Sequence, residues 1–120
     1  ARVVDVADCG VEPERMGAGA AAAIRRVLAQ TGLAVADIDA WEINEAFAAV
    51  PLHAMGELAL DPERVNVWGG ALALGHPLGA TGVRLAGTLA RILQSRGGRY
   101  GCAAACIGGG QGIAMILERT

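Results

Sequence analysis

The chain has 120 residues, of which 53% are hydrophobic and 18% are charged, and its formal net charge is −2. One core serves a chain of this length, so we expect a single domain over residues 1–120. The net charge offers no attraction for nucleic acid, and no run approaches the roughly 18 apolar residues that span a membrane. The amino terminus lacks the pattern of a signal peptide, so we expect a cytoplasmic protein.

The first half of the chain predicts two strands, each followed by a helix. Residues 2–8 are rich in valine, which is typical of a buried strand. Residues 17–32 have the apolar spacing of a helix that ends at Gly32. Residues 39–43 predict the second strand. Asn44 stands where an N-cap belongs, ahead of a second helix that Pro51 should kink.

The second half predicts a long loop, a helix and a pair of strands. Residues 65–68 predict a short strand, and residues 69–82 contain enough glycine to predict a loop. Thr81 is the expected N-cap of the third helix, and Gly97 or Gly98 is expected to end it. The residues expected to face inward from that helix are Val83, Ala86, Leu89 and Leu93.

The last two predicted strands are residues 99–107 and 111–119. Their connection is too short for a crossover helix, so they must be antiparallel. Strands that alternate with helices predict an α/β domain whose sheet is parallel except at the last strand.

A possible dinucleotide fingerprint is a weak signal in this chain. Gly17, Gly19 and Ala22 fit the pattern G-x-G-x-x-A before a helix. A loop that contains Pro13 separates them from the preceding strand, whereas the motif should follow the strand directly. We therefore interpret this pattern as a structural feature, and nucleotide binding is the weakest of the functions considered.

Metal binding is not expected from the sequence. The two histidines, His53 and His76, lie more than twenty positions apart, and the cysteines have none of the familiar ligand spacings. The odd number of cysteines also argues against a disulfide framework.

Three residues, each at or just beyond a strand end, are the candidate functional groups. Asn44 alone would be only a helix cap, and a single loop histidine such as His76 is more often exposed than catalytic. Cys106 could be a small buried hydrophobe, as Cys9 and Cys102 are expected to be. The three glycines after Cys106, however, would give a reactive thiol room and N–H donors. Together the three residues have the layout of a thiol-based acyl-transfer site.

The sequence resembles the C-terminal half of the thiolase family. That half contains "NEAF" (residues 44–47), a loop similar to "GGALALGHPLGATG" (residues 69–82) and "CIGGGQG" (residues 106–112), in this order. The resemblance covers essentially all 120 residues. It implies a five-stranded mixed sheet between helices, paired with a similarly folded N-terminal half and assembled as a homo-oligomer.

The resemblance also implies a role for each site residue. His76 would take the proton from an acyl-accepting cysteine and, with a water held by Asn44, bind the charge on the thioester oxygen. Cys106 would move the proton at the α-carbon, which suits a thiol of ordinary pKa ~8.5 if its surroundings lower that value. The Gly108 amide would donate to a second oxyanion. Two further residues, Ala46 and Phe47, would line the pantetheine channel.

The acyl-accepting cysteine belongs to the N-terminal half of thiolases. Cys9 cannot replace it, since no helix start is present there to lower its pKa. The start at Ala1, without methionine, also suggests a piece of a longer chain. We therefore expect an acyltransferase half that is inactive alone, has acyl-CoA as substrate rather than cofactor, and cleaves 3-ketoacyl-CoA or condenses acetyl-CoA. The alternative is a non-catalytic domain for assembly or for binding a CoA-like ligand.

Overall fold

The computed structural model describes residues 1–120 and contains four strands and four α-helices. Short 3-10 helices cover Pro13–Ala18, Val35–Asp37 and Pro62–Arg64. The strands are β1 (Arg2–Gly10), β2 (Ile38–Ile43), β3 (Tyr100–Ile107) and β4 (Gln111–Glu118), and the helices are α1 (Gly19–Thr31), α2 (Ala49–Leu58), α3 (Ala71–Leu74) and α4 (Leu78–Arg96).

The strands form one mixed sheet in the order β1-β4-β3-β2. β2 is parallel to β3, whereas β4 is antiparallel to both of its neighbours, β3 and β1. Only the last strand therefore runs in the opposite direction, as the short connection after Ile107 predicts. The β3–β4 register places Cys106 opposite Gly112.

The expected fifth strand at residues 65–68 is absent, and the sheet has four strands. Only an isolated bridge joins Val65 to Trp41. Asn66 has a φ of 47°, which is incompatible with a strand, and its side chain pairs with the backbone of Ile43 instead. The Asn66 Oδ1 accepts from the Ile43 N–H at 2.8 Å, and its Nδ2 donates to the Ile43 carbonyl at 2.9 Å. One side-chain amide thus replaces the hydrogen bonds that a neighbouring strand would make.

Helices cover both faces of the sheet. α1 and α2 pack over one face, where the larger core cluster contains Trp41, Cys102 and Cys106. α4 packs over the other face through Leu85, Leu89, Ile92 and Leu93. The expectation that β1 is a buried strand is wrong, since it lies at the edge of the sheet and buries only Ala7. No helix in the chain has both the length and the apolar character needed to cross a bilayer.

The ends of the helices confirm two predicted caps and correct two others. Gly32 and Gly97 end α1 and α4 in the left-handed conformation that glycine favours. α2 begins only at Ala49, so Asn44 is not its N-cap.

Pro51 lies in the first turn of α2, where its missing N–H has no partner to lose, and the expected kink is not required. α4 begins at Leu78, so Thr81 lies inside the helix rather than at its cap. The side chain of Val83 is 78% exposed rather than inward, and Leu85 takes the buried position.

The start of α1 lies directly against the backbone of β4. A Cβ atom at Gly112 would collide with the carbonyl of Gly19, and one at Gly19 would collide with the carbonyl of Gln111. These two glycines let the helix and the strand touch without side chains between them, which brings α1 down onto the sheet beside Cys106.

We expect the substitution Gly112→Ala to destabilise the chain by roughly 1–3 kcal/mol, because the contacted atoms are backbone and cannot move aside. Gly87→Ala is the matched control, since Gly87 is exposed in α4 with no atom within 4 Å of an added Cβ. That substitution should stabilise by up to about 1 kcal/mol. Urea unfolding of the three proteins measures both effects, and equal stabilities for Gly112→Ala and the parent would contradict the close contact.

The role of the Asn66 side chain can be tested at the two residues other than glycine that have positive φ. Asn66→Gly should destabilise by roughly 1–3 kcal/mol, because the N–H of Ile43 loses its acceptor. Ala59→Gly, at a φ of 51° on an exposed position, should instead stabilise by about 1 kcal/mol because strain is relieved. Urea unfolding should therefore give a lower free energy of unfolding for Asn66→Gly and a higher one for Ala59→Gly. Stabilisation by both substitutions would show that the amide of Asn66 contributes nothing.

Candidate active site

Asn44 joins the end of β2 to two other segments of the site. Its side chain is fully buried. Its backbone N–H donates to the carbonyl of Ala104 at 2.8 Å, which extends the pairing with β3 by one residue. Its Nδ2 lies 3.3 Å from Nε2 of His76. The Oδ1 atom is buried without a hydrogen-bond partner, so it is an acceptor that a bound water or substrate can use.

His76 lies on the short exposed connection between α3 and α4. Gly75 precedes it with a φ of 91°, which ends α3, and Pro77 follows as the N-cap of α4. The Nδ1 atom of the ring lies 2.7 Å from the hydroxyl of Thr81, in the first turn of α4. Both ring nitrogens therefore have a partner, one from the sheet and one from the helix.

Cys106 is the second-to-last residue of β3 and is 7% exposed. Burial raises the pKa of its thiol, and a hydrogen bond from its own backbone opposes this only in part. The condition stated above for a proton-transferring thiol, that its surroundings lower this pKa, is therefore not met within this chain. Burial therefore favours the protonated thiol over the nucleophilic thiolate.

The turn after β3 is built from glycine for two reasons. Gly109 and Gly110 have φ values of 84° and 82°, a conformation that side chains rarely adopt. Gly108 is exposed, and its N–H donates to no other backbone group. That amide is therefore free to bind an oxygen atom from outside the chain.

The predicted site residues collect at one edge of the sheet, but only two of them touch. Ile43 pairs with Ala104, so Asn44, just beyond the end of β2, and Cys106, near the end of β3, lie at the same end of two parallel strands. Cys106 packs into the core cluster beneath α1, whereas Asn44 contacts His76 at the start of α4. No hydrogen bond joins Cys106 to either residue.

Ala46 and Phe47 lie on the segment that connects β2 to α2. Ala46 packs against the core, and the side chain of Phe47 is 62% exposed. Phe47 borders an open groove of about 460 Å³, whose other lining residues include Met16 and His53. The sequence assigned no role to Met16, and nothing in the residues around it pointed to one. No group of three or more His, Cys, Asp and Glu side chains is arranged to hold a metal ion.

Comparison with known proteins decides the family. The family described as "Thiolase, C-terminal domain" matches residues 1–119. The chain belongs to the thiolase family. The resemblance carried by "NEAF", the histidine loop and "CIGGGQG" is thereby confirmed.

Named relatives and a solved structure agree with this assignment. The chain is 52% identical to the cytosolic acetyl-CoA acetyltransferase of Mus musculus, covering 99% of this chain and 30% of the relative. It is 54% identical to the 3-oxoadipyl-CoA/3-oxo-5,6-dehydrosuberyl-CoA thiolase of Escherichia coli K12, covering 100% of this chain and 30% of the relative. Human mitochondrial 3-ketoacyl-CoA thiolase in complex with CoA superposes with a TM-score of 0.97 at 48% identity, again over 100% and 30% of the two chains. The chain thus spans about 30% of the length of the relatives it matches.

A network around Glu45 positions the histidine loop of this thiolase domain. One carboxylate oxygen accepts from Asn66 Nδ2 at 3.0 Å, and the other accepts from the N–H of Leu72 at 2.9 Å. Gly70 lies so close to this carboxylate that a Cβ would collide with it. Glu45 therefore fixes the segment that leads to His76. Nothing in the residue pattern indicated this role beyond the place of Glu45 in "NEAF".

An ion pair with one fully buried partner joins β2 to α4, two residues before Asn44. Glu42 on β2 is fully buried, and Arg84 Nη1 on α4 lies 3.2 Å from its carboxylate. Burial raises the pKa of Glu42 to about 7, although Arg84 opposes the shift. One oxygen of Glu42 and one nitrogen of Arg84 have no partner. The three buried polar side chains of the domain, Glu42, Asn44 and Thr81, therefore all belong to this region.

The raised pKa of Glu42 makes stability depend on pH. The folded chain binds a proton at Glu42 more tightly than the unfolded chain, so this contribution is complete below the unfolded pKa of about 4.5 and is lost as pH rises to about 7. We expect Glu42→Gln to flatten the decline in unfolding free energy between these values. Urea unfolding across this pH range measures the slope, and an unchanged slope would contradict the assignment.

Glu118 provides a control of the opposite sign. Hydrogen bonds from Arg2 and Arg99 lower the pKa of Glu118, so its contribution is present above about pH 4.5 and is lost as pH falls. Glu118→Gln should therefore remove stability at neutral pH and leave the slope between pH 4.5 and 7 as in the parent chain.

Proposed function

We propose that this chain is the C-terminal catalytic domain of an acyl-CoA C-acyltransferase, which cleaves 3-ketoacyl-CoA with CoA or condenses acetyl-CoA units. The contact between Asn44 Nδ2 and His76 Nε2, with the buried Oδ1 of Asn44 left open, is the observation that carries this proposal. It is a polar pair at the carboxyl end of a parallel strand, where ligands of α/β sheets bind.

The proposed chemistry divides the work between this domain and an N-terminal half. His76 takes the proton from the acyl-accepting cysteine of that half and, with a water bound to Asn44, binds the charge that develops on the thioester oxygen. During cleavage, the sulfur of the acyl-accepting cysteine bonds to the β-carbon, the bond between the α- and β-carbons breaks, and Cys106 gives its proton to the α-carbon. The acyl group then passes from that cysteine to the thiol of CoA. In condensation the thiolate of Cys106 takes the proton back from the α-carbon. The free amide of Gly108 donates to the second oxyanion, an interaction of roughly 2.7–4 kcal/mol where a single donor has been removed elsewhere.

The groove beside Phe47 is the proposed position of the substrate chain. It is open at the surface and lies on the segment that directly follows Asn44. Ala46 and Phe47 would contact the pantetheine arm of CoA, and the CoA thioester is the substrate, so no cofactor is required. A relative of similar structure has been solved in complex with CoA, which supports this choice of ligand.

The N-terminal half is the proposed partner of the sheet face that carries α4. An apolar cleft of about 140 Å³ opens there between Leu85, Ala103, Ile113 and Met115. Nearby Val83 is 78% exposed, and burial of such surface favours association. Homo-oligomer formation stays a prediction. A cytoplasmic location also stays a prediction, because the relatives include both cytosolic and mitochondrial proteins.

The alternative is a domain of the same fold that binds a CoA-like ligand without catalysis. The raised pKa of Cys106, and the absence of a hydrogen bond from it to His76, favour this alternative. Activity measurements separate the two proposals.

We expect thiolysis of acetoacetyl-CoA when this chain is joined to a thiolase N-terminal half, and none from the chain alone. Cys106→Ala or His76→Ala in the joined enzyme should lower kcat by about 10²- to 10⁴-fold, because each removes a proton-transfer group. Cys102→Ala is the matched control, since Cys102 lies on the same strand and is fully buried in the core. It should keep kcat close to that of the parent. CoA binding without turnover in the joined protein would favour the non-catalytic alternative.

A further inference from the structure

Thr81 makes two contacts that a helix cap would not make. Its hydroxyl oxygen lies 2.7 Å from Nδ1 of His76 and 3.0 Å from the carbonyl oxygen of Pro77. The side chain is buried, whereas His76 itself is exposed. A hydroxyl has a single proton to donate, so the direction of each bond depends on which nitrogen of His76 carries a hydrogen.

If Nδ1 of His76 carries the hydrogen, three bonds form in one direction. Nδ1–H donates to Thr81, the hydroxyl of Thr81 donates to the carbonyl of Pro77, and Nδ2 of Asn44 donates to Nε2. Each of the three bonds has a donor and an acceptor, and the groups of this chain left open are Oδ1 and the second N–H of Asn44.

If Nε2 of His76 carries the hydrogen instead, Thr81 must donate to Nδ1 and the amide of Asn44 must turn over. The NH₂ group of Asn44 would then be directed into the buried site in which Oδ1 now has no partner. A buried amide donor without an acceptor costs about 1–3 kcal/mol. The first tautomer forms one more bond and is favoured.

The geometry points to Thr81 as a positioning residue, which holds the hydrogen of His76 on Nδ1 and so keeps Nε2 unprotonated and directed at Asn44. Nε2 is then the basic atom of the ring. Its bond to Asn44 is long, at 3.3 Å, so the lone pair is only weakly engaged. This inference rests on the proposed function, because it assigns the atom through which His76 would accept a proton.

The test compares Thr81→Val with Thr81→Ser in the full-length enzyme. Valine keeps the shape of threonine but offers no acceptor, whereas serine keeps the hydroxyl. The start of α4 does not depend on that hydroxyl, since the N–H groups of Ala80 and Thr81 also donate to the Pro77 carbonyl. Thr81→Val should lower kcat roughly 10- to 100-fold. This range is that seen in other proteins when a histidine that binds a metal loses the hydrogen-bond partner of its second ring nitrogen. KM should change little, and Thr81→Ser should restore kcat to within a few-fold.

A second measurement reads the tautomer without activity. ¹⁵N spectra of the full-length enzyme with labelled histidines, assigned by the signal lost in His76→Gln, distinguish a nitrogen that carries hydrogen from one that does not. We expect hydrogen on Nδ1 in the parent and in Thr81→Ser, and hydrogen partly or wholly on Nε2 in Thr81→Val. If Thr81→Val does not fold, Thr81→Ala replaces it with the same expectations.

Two results would overturn the inference: a kcat of Thr81→Val equal to that of the parent, or a loss in Thr81→Ser as large as in Thr81→Val. A parent spectrum with hydrogen on Nε2 would overturn it as well. An inactive parent enzyme would instead count against the proposed function, and the spectra would still decide the tautomer.

Discussion

The site depends on the two hydrogen bonds of Asn44, one from its backbone and one from its side chain. The backbone N–H continues the pairing of β2 with β3, so the position of Asn44 is set by the sheet. The side chain then reaches Nε2 of His76, on a loop that is otherwise exposed. Because one residue makes both bonds, the histidine is held in place by a residue that is itself fixed to the parallel strands. A group held in this way loses little entropy when a substrate binds.

The domain places its buried polar groups where chemistry is proposed and fills the rest of its core with apolar side chains. Glu42 lies on β2 and Asn44 directly follows it, whereas Thr81 lies on α4 together with Arg84, the ion-pair partner of Glu42. Burial of such groups is costly unless they are paired, and three of their atoms are not. Proteins retain costs of this kind where polar groups have a function, which agrees with the proposal that an N-terminal half completes the site.

Local signals predicted much of the fold, and tertiary contacts decided the rest. The antiparallel β3–β4 pair and the caps Gly32 and Gly97 follow from short-range rules of turn length and backbone conformation. The side chains of Asn66 and Thr81 could not be placed in that way, since their hydrogen bonds go to Ile43 and His76 through the folded arrangement. The motifs predicted a site of Asn44, His76 and Cys106, and the structure brings the first two of these into contact. They did not foretell that Cys106 is buried with a raised pKa.

The glycines around Cys106 satisfy two separate demands, and the distinction explains why so many are needed. Gly109 and Gly110 give the turn its left-handed backbone, which leaves the amide of Gly108 free. Gly112 serves packing, because it lets Gly19 at the start of α1 touch β4 directly opposite Cys106. Cys106 itself is buried in the core cluster under α1, and this burial raises the pKa of its thiol. A larger residue at either glycine would move α1 away from the strand, so this close packing stabilises the fold at the position of β4 that pairs with Cys106.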